Sequence, residues 1–389
     1  MVRLEPSTRI RKICMVILFV TGCGPTLMAA EPGPGVPQRA AGTHSLLAVG
    51  DIMLSGSAEK VYKANGYGHA FQDRALADLI ARSDAAFCNL AQPITGFHDH
   101  ARDKRYTFKG STGSLRAIRE AGFDLVSLAN NHIMDYGVQG LADTLRFCGK
   151  NRLVCAGAGL DLASAARPGI FTHKGVRYGL LAYSMTFPES SWATPERPGT
   201  AHPDIARMEL DIRGVRGDVD ILIVSFHWGV ELMAEPKQYQ TGFARHAVRC
   251  GADVVIGHHP HVPQPIEIYQ GKPVFYSLGN FAFGSLSESA THAVAAEIVF
   301  QGKNPVRVNL YPLNVNNRET GFQTCIARGR QAREIVDLLR RMSMPFGTHV
   351  EYAKGAGTIT LAAAPGKDPA ALARLAGLTA PKPSANAGR

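Results

Sequence analysis

Three histidines crowd one short segment of this 389-residue chain: Gly257-His258-His259-Pro260-His261, directly after the apolar run Ala252-Asp253-Val254-Val255-Ile256. His259 and His261 have the His-x-His spacing that lets two imidazoles face one ion. Neutral imidazole suits zinc, manganese, iron or nickel, and a carboxylate or amide oxygen adds harder ligands. Such partners recur where other apolar runs end. Asp51 follows Ser45–Gly50, Asn89 follows Ala85–Cys88, and Asn130, Asn131 and His132 follow Phe123–Ala129, with Asp135 close behind; His227 follows Asp220–Phe226. A mixed N/O set of this kind favours a Lewis-acid ion over an iron–sulfur cluster or a copper thiolate. A histidine left free by the ion would shuttle protons, with Asp135 as the carboxylate that orients it.

Each residue alone has an ordinary reading. Asp51 suits a turn or cap, Asn130-Asn131 a turn, and His227 beside Trp228 a core histidine. His258 reads as scaffold, because strand alternation turns its side chain opposite to that of His259. Together, at the carboxyl ends of several strands where α/β sheets bind ligands, they point to a metal or phosphate site.

The elements that must carry these residues alternate between strand and helix from residue 44 to about 260. Ser45–Val49, Ala85–Cys88, Phe123–Leu128, Leu153–Ala156 and Asp220–Ser225 read as strands. Ala70–Ala81, Leu115–Ala121, Val138–Cys148 and Gln238–Cys250 read as helices. Gly169–Tyr183 is a hairpin turning at Lys174-Gly175, and Pro265–Ser277 another around Gln270-Gly271-Lys272. Ala293–Phe300 and Val306–Val315 alternate as antiparallel strands do, and Ala332–Met342 is a late helix. An alternating half followed by a β-rich part predicts two sheets packed face to face with helices outside.

The net charge of +10 favours an anionic partner, such as a polyanion or an anionic lipid surface. The basic residues form no run and no aromatic-interleaved stripe, which excludes a specific nucleic-acid module. Residues 1–30 read as an export signal: Arg3, Arg9, Arg11 and Lys12 precede Ile13–Val20, too short a run to span a bilayer. Val20-Thr21-Gly22-Cys23 is a lipobox-like end that predicts a lipid anchor on Cys23; the competing cut follows Ala30. A Pro/Gly-rich linker covers 31–43, the main domain 44–320, a C-terminal extension 321–377 and a disordered tail 378–389. Beyond Cys14 and Cys23 the five cysteines are an odd, widely spaced set with no C-x-x-C pair, and read as buried small side chains.

The segments Ala48–Leu54, Asn89-Leu90, Ser127–Gly137, His227-Trp228-Gly229, Ile256–Val262 and Tyr276–Phe281 resemble, in order and over about residues 45–285, the CapA family of poly-γ-glutamate capsule biosynthesis proteins. That family is similar to the calcineurin-type metallophosphatases. The resemblance implies a four-layer α-β-β-α sandwich of two mixed sheets flanked by helices. It assigns Asp51 and His261 to a first metal position and Asn131, His227 and His259 to a second. His132 becomes the proton donor supported by Asp135, and Asn89, Asn130 and Asn280 face the substrate.

Two departures alter this pattern. Met53 stands where the wider superfamily has a histidine, and Ala91 stands where the family reads Asn-Leu-Glu, so the bridging carboxylate is missing unless Gln92 or another residue compensates. One divalent ion (manganese, zinc or iron) is therefore expected rather than two. The first reading is an exported, lipid-anchored protein that makes or exports an anionic surface polymer, working with polymer-synthesis membrane proteins. The second is a metal-dependent hydrolase of a phosphoester or peptide-like bond. The third is a non-catalytic binding or assembly subunit, which the loss at Ala91 favours over the second.

Overall fold

The computed structural model describes residues 42–101 and 104–361. The export signal, its lipobox, most of the linker and the tail lie outside the described residues. No helix among the described residues is long and apolar enough to cross a membrane.

The strands follow the chain as β1 (Thr43–Met53), β2 (Ala85–Leu90), β3 (Leu125–Ser127), β4 (Val154–Ala156), β5 (Ala158–Gly159), β6 (Gly169–His173), β7 (Val176–Ser184), β8 (Gly199–Thr200) and β9 (Ile221–His227). The remainder are β10 (Val254–His258), β11 (Ile266–Tyr269), β12 (Lys272–Phe275), β13 (Asn280–Phe283), β14 (His292–Gln301), β15 (Asn304–Asn314), β16 (Cys325–Ile326), β17 (Glu351–Ala353) and β18 (Ala356–Thr360).

Two sheets carry the site. The larger runs β17-β18-β15-β14-β1-β2-β3-β4, with β13 on β1 and β16 on β15; the smaller runs β11-β12-β10-β9-β7-β6. Both are mixed: β1, β2, β3 and β4 are parallel, as are β7, β9, β10 and β12, while β14, β15 and both hairpins are antiparallel. The expected pair of mixed sheets is therefore present.

Period-two burial sorts the side chains into layers. In β1, Leu46 and Ala48 join the cluster between the sheets, while Leu47 and Val49 face the helices outside. In β9, Ile221 and Ile223 face inward, and Leu222, Val224 and Phe226 pack on the outer helices Ile205–Arg216 and Gln238–Cys250. Helices Arg74–Arg82, Thr112–Ala121 and Gly137–Lys150 cover the other outer face. Helix, sheet, sheet and helix make the four layers. Ala332, Ile335, Val336 and Leu339 of helix Gly329–Ser343 add to the inter-sheet cluster, so this late segment shares the main core.

Two local differences have clear causes. The helix expected over 70–81 is split, because the Asp73 side chain accepts from Leu76 N and starts a new helix at Arg74, after a 3-10 turn over Tyr67–Phe71. Helix Ile205–Arg216 buries only Met208, Ile212 and Val215 and leaves Leu210 exposed, so its periodicity is faint.

Register then places the polar strand ends. The first half of β1 pairs antiparallel with β14 as far as Ala48, after which its register shifts. Beyond the shift, Asp51 lies between Asn280 of β13 and Asn89 of β2. In the smaller sheet His258, His227 and Ser184 stand side by side across β10, β9 and β7. Two glycines allow these rows. A Cβ at Gly50 would lie 1.8 Å from the Gly279 carbonyl oxygen, and one at Gly257 would lie 2.0 Å from that of Tyr276.

Candidate functional site

Asp51 is the centre of the site and is fully buried. Asn89 Nδ2 donates to its Oδ1 at 2.6 Å, and the His259 backbone N donates to its Oδ2 at 3.2 Å. His258 Nδ1 lies 3.5 Å from one carboxylate oxygen and His261 Nδ1 3.6 Å from the other. Burial disfavours the Asp51 anion, but His258 and the neighbouring His227 and His261 outweigh it and hold the carboxyl well below the usual carboxylate range. Thus a buried anion is surrounded by imidazoles and amides.

The second group forms around His227. Its Nε2 lies 3.0 Å from Asn131 Oδ1, and its Nδ1 lies 3.3 Å from Asn89 Nδ2. The His259 ring stands 4.8 Å from the His227 ring, centroid to centroid, and 6.0 Å from that of His261. Burial first, and then the neighbouring rings, push the His227 imidazole well below its ordinary value and that of His259 down to about 3. Both rings are neutral at neutral pH, the form that ligates a metal.

Asn280 Oδ1 lies 2.8 Å from His261 Nδ1. An amide oxygen only accepts, so Nδ1 is the donor in this bond. Orientation of a ligating imidazole through its other nitrogen is a usual support in metal sites. Asn130 works at longer range: its Nδ2 donates to the Leu90 carbonyl at 2.8 Å, and its Oδ1 accepts from the backbone N of His132 and Ile133. Asn130 thereby braces the loop that carries Asn131 and His132.

His132 and Asp135 form a separate dyad on that loop. His132 Nδ1 lies 2.8 Å from Asp135 Oδ2, which also accepts from Phe108 N at 2.8 Å. Lys104 Nζ donates to Asp135 Oδ1 at 2.7 Å and to the Asn131 carbonyl. The carboxylate therefore fixes the ring through Nδ1. Asn131, His132, His261 and Asn280 line a cleft of about 690 Å³, with Lys104 and Glu231 at its wall.

All ten residues singled out in the sequence meet at this edge of the two sheets. His258 differs from expectation. Strand β10 ends at His258, and His259 takes φ +97°, so alternation does not continue past it. Its ring is buried with Nδ1 3.5 Å from the Asp51 carboxylate, and its Nε2 has no hydrogen-bond partner; His259 Nδ1 is likewise unpartnered and buried. Gln92 does not replace the carboxylate missing at Ala91, because its Oε1 accepts from Ser55 Oγ at 2.6 Å. Sequence reasoning passed over Glu231, Lys104 and Phe108. The only signal for Glu231 is an acid four residues beyond a strand-end histidine.

A second trio, Glu209, His246 and Cys250, joins helix Ile205–Arg216 to helix Gln238–Cys250. Arg213 pairs with Glu209 at 2.8 Å, and Arg249 approaches His246 Nδ1 at 3.4 Å. Two guanidinium groups make this an ion-pair network that repels a cation.

The fold and its ligand types define a class: a four-layer α/β protein with a carboxylate, imidazole and amide cleft at the carboxyl edge of its sheets. More particularly, the chain belongs to the family described as bacterial capsule synthesis protein PGA_cap, whose model matches residues 45–285. It is 35% identical over 237 residues to the PGA biosynthesis protein CapA of Bacillus subtilis (strain 168), covering 60% of this chain and 62% of that one. It is 30% identical over 275 residues to the capsule biosynthesis protein CapA of Bacillus anthracis, covering 69% and 66%. The chain thus spans a little less than two thirds of each relative. The solved structure of Haemophilus influenzae NAD nucleotidase overlaps 77% of this chain and 63% of its own at 13% identity, with a TM-score of 0.42. That overlap is too slight to bear on the site.

Proposed function

We propose that this chain acts outside the cytoplasm in the synthesis or export of an anionic surface polymer of the poly-γ-glutamate type, through a cleft that holds one divalent ion. The family and the names of the two CapA relatives support the polymer role. One observation carries the metal reading: the buried Nδ1 of His259 lacks a partner, with the His227 and His261 rings and the buried Asp51 carboxylate around it. Leaving such groups unsatisfied is costly, and an ion removes the cost. Asp51, Asn131, His227, His259 and His261 would hold manganese, zinc or iron.

A bound divalent ion supplies Lewis-acid polarisation of a carbonyl or phosphoryl oxygen. The protein supplies the rest. Asp135 holds His132 in one tautomer, so that Nε2 gives or takes a proton at the cleft wall. Asn280 orients His261 and Asn89 orients Asp51, which restricts the substrate to one approach. The His132–Asp135–Lys104 chain favours a hydrolytic step on a peptide-like or phosphoester bond over a purely binding role. We assign residues 1–30 to export, Cys23 to lipid attachment, and polymer-synthesis membrane proteins as partners.

The test has two arms. The full-length protein should take up manganese or zinc, and His227→Ala with His259→Ala should abolish uptake. Deletion of the gene should lower cell-surface polyanion, with rescue by wild type and not by the double variant. Absence of metal from the wild type would refute the metal centre, and an unchanged surface polymer would refute the polymer role.

A further inference from the structure

The site as described holds one carboxylate, Asp51. A second carboxylate would add negative charge and a hard oxygen ligand for an ion of charge +2. The second strand end contributes no carboxylate, because position 91 is alanine and the Gln92 side chain is turned to Ser55. A second carboxylate would have to come from elsewhere in the cleft.

The loop after β9 offers it. Trp228 N donates to the His258 carbonyl at 3.1 Å, and Leu232 N donates to the Pro260 carbonyl at 2.8 Å. These bonds clamp residues 228–232 along the histidine segment. Gly229 at φ +88° and Leu232 at φ +61° turn the loop, and the Tyr239 hydroxyl accepts from Gly229 N at 2.7 Å. Glu231 lies at the turn and at the wall of the cleft. One ligand atom each of Glu231, His259 and His261 lies within 4.8 Å of the other two. No lysine or arginine among the described residues pairs with Glu231. Of its two neighbours, His259 has an orphaned Nδ1 and His261 is held through Nδ1 by Asn280.

We propose that Glu231 is the second carboxylate of the centre, holding a divalent ion together with His259 and His261 and replacing the charge absent at Ala91. This rests on the metal reading above. The ion then sits toward the open side of the cleft, since Glu231 is exposed while Asp51 is fully buried. An ion held there exchanges readily with solvent and meets an anionic substrate at the cleft mouth.

Manganese titration of the full-length protein, by calorimetry and by loss of the free-ion electron paramagnetic resonance signal, tests this directly. Glu231→Gln should weaken affinity by at least about tenfold and leave the melting temperature of the metal-free protein unchanged, because Glu231 is exposed and has no ion pair among the described residues. Ala91→Glu added to Glu231→Gln should recover affinity. Wild-type affinity in Glu231→Gln, with binding still lost in His259→Ala, would overturn Glu231 as a ligand and leave the metal reading standing. A double variant that binds no better than Glu231→Gln would overturn the replacement of position 91. No binding by the wild type would remove both the metal reading and this one.

Discussion

At the amino ends of four parallel strands an aspartate stands just before the strand: Asp84 before β2, Asp124 before β3, Asp220 before β9 and Asp253 before β10. Each accepts a backbone N–H from the neighbouring strand, from Ser45, Ala86, Arg177 and Leu222 respectively. Each also meets a basic side chain: Lys174, Arg119, Arg177, and Arg216 with Lys272. At the carboxyl ends of the same sheets stands Asp51, with no such cation among the described residues and with unpartnered imidazole nitrogens beside it. The amino edge is saturated and ties strand to strand. The carboxyl edge keeps unspent ligand capacity, which is the physical difference between a structural and a binding edge.

The largest effect should come from the glycine that lets both edges exist on one strand. Gly257→Ala puts a Cβ 2.0 Å from the Tyr276 carbonyl oxygen and 2.5 Å from Trp228 Nε1. Backbone cannot yield cheaply there, so chemical denaturation should show a loss of about 3 kcal/mol or more, or no folded protein. A stable variant that still binds metal would break the link between strand packing and site.

The comparison sharpens with two like substitutions. Asp253→Asn leaves Arg216 and Lys272 without their counter-charge and should cost about 2–3 kcal/mol while sparing metal affinity. Asp51→Asn strands no lysine or arginine among the described residues, although its one amide oxygen can accept from only one of Asn89 Nδ2 and His259 N. It should destabilise the metal-free protein less than Asp253→Asn, yet weaken metal binding by about a hundredfold. Equal effects of the two on both readouts would erase the distinction between the edges.

The smallest effect is a pH dependence at the amino edge. Hydrogen bonds from Arg177 lower the Asp220 carboxyl from 3.8 to about 2. Its folded value is depressed, so its contribution is fully present above the unfolded value and is lost as pH falls from 3.8 toward 2. Asp220 is partly exposed, so the loss should be under about 1 kcal/mol; Asp220→Asn should flatten that part of the stability–pH curve in acid melts.

Much of this was legible in the sequence, for reasons visible in particular residues. Runs such as Ile221–Phe226 and Val254–Ile256 are buried on both faces and read as near-continuous apolar strands, so their polar ends stand out. The break in strand alternation at His259 was not legible, because a positive φ at a non-glycine residue leaves no compositional mark. The register shift in β1 was hidden as well, because it is set by pairing with strands distant in the chain. Without it Asp51 would not fall between Asn89 and Asn280. Glu231 escaped notice because it lies on a loop whose path is set by hydrogen bonds to His258 and Pro260, far away in the chain.

The amino-acid sequence by itself determined which chemical groups end each strand, the alternation that sorts core from surface, and the absence of a carboxylate at Ala91. These are local properties of residue type and spacing. Only the tertiary structure decided which strand ends meet, that His258 lies beside Asp51, and that Glu231 reaches the histidines. Those depend on strand order, on a bulge and on close backbone approach at Gly50 and Gly257, where contacts between distant residues outweigh local preference.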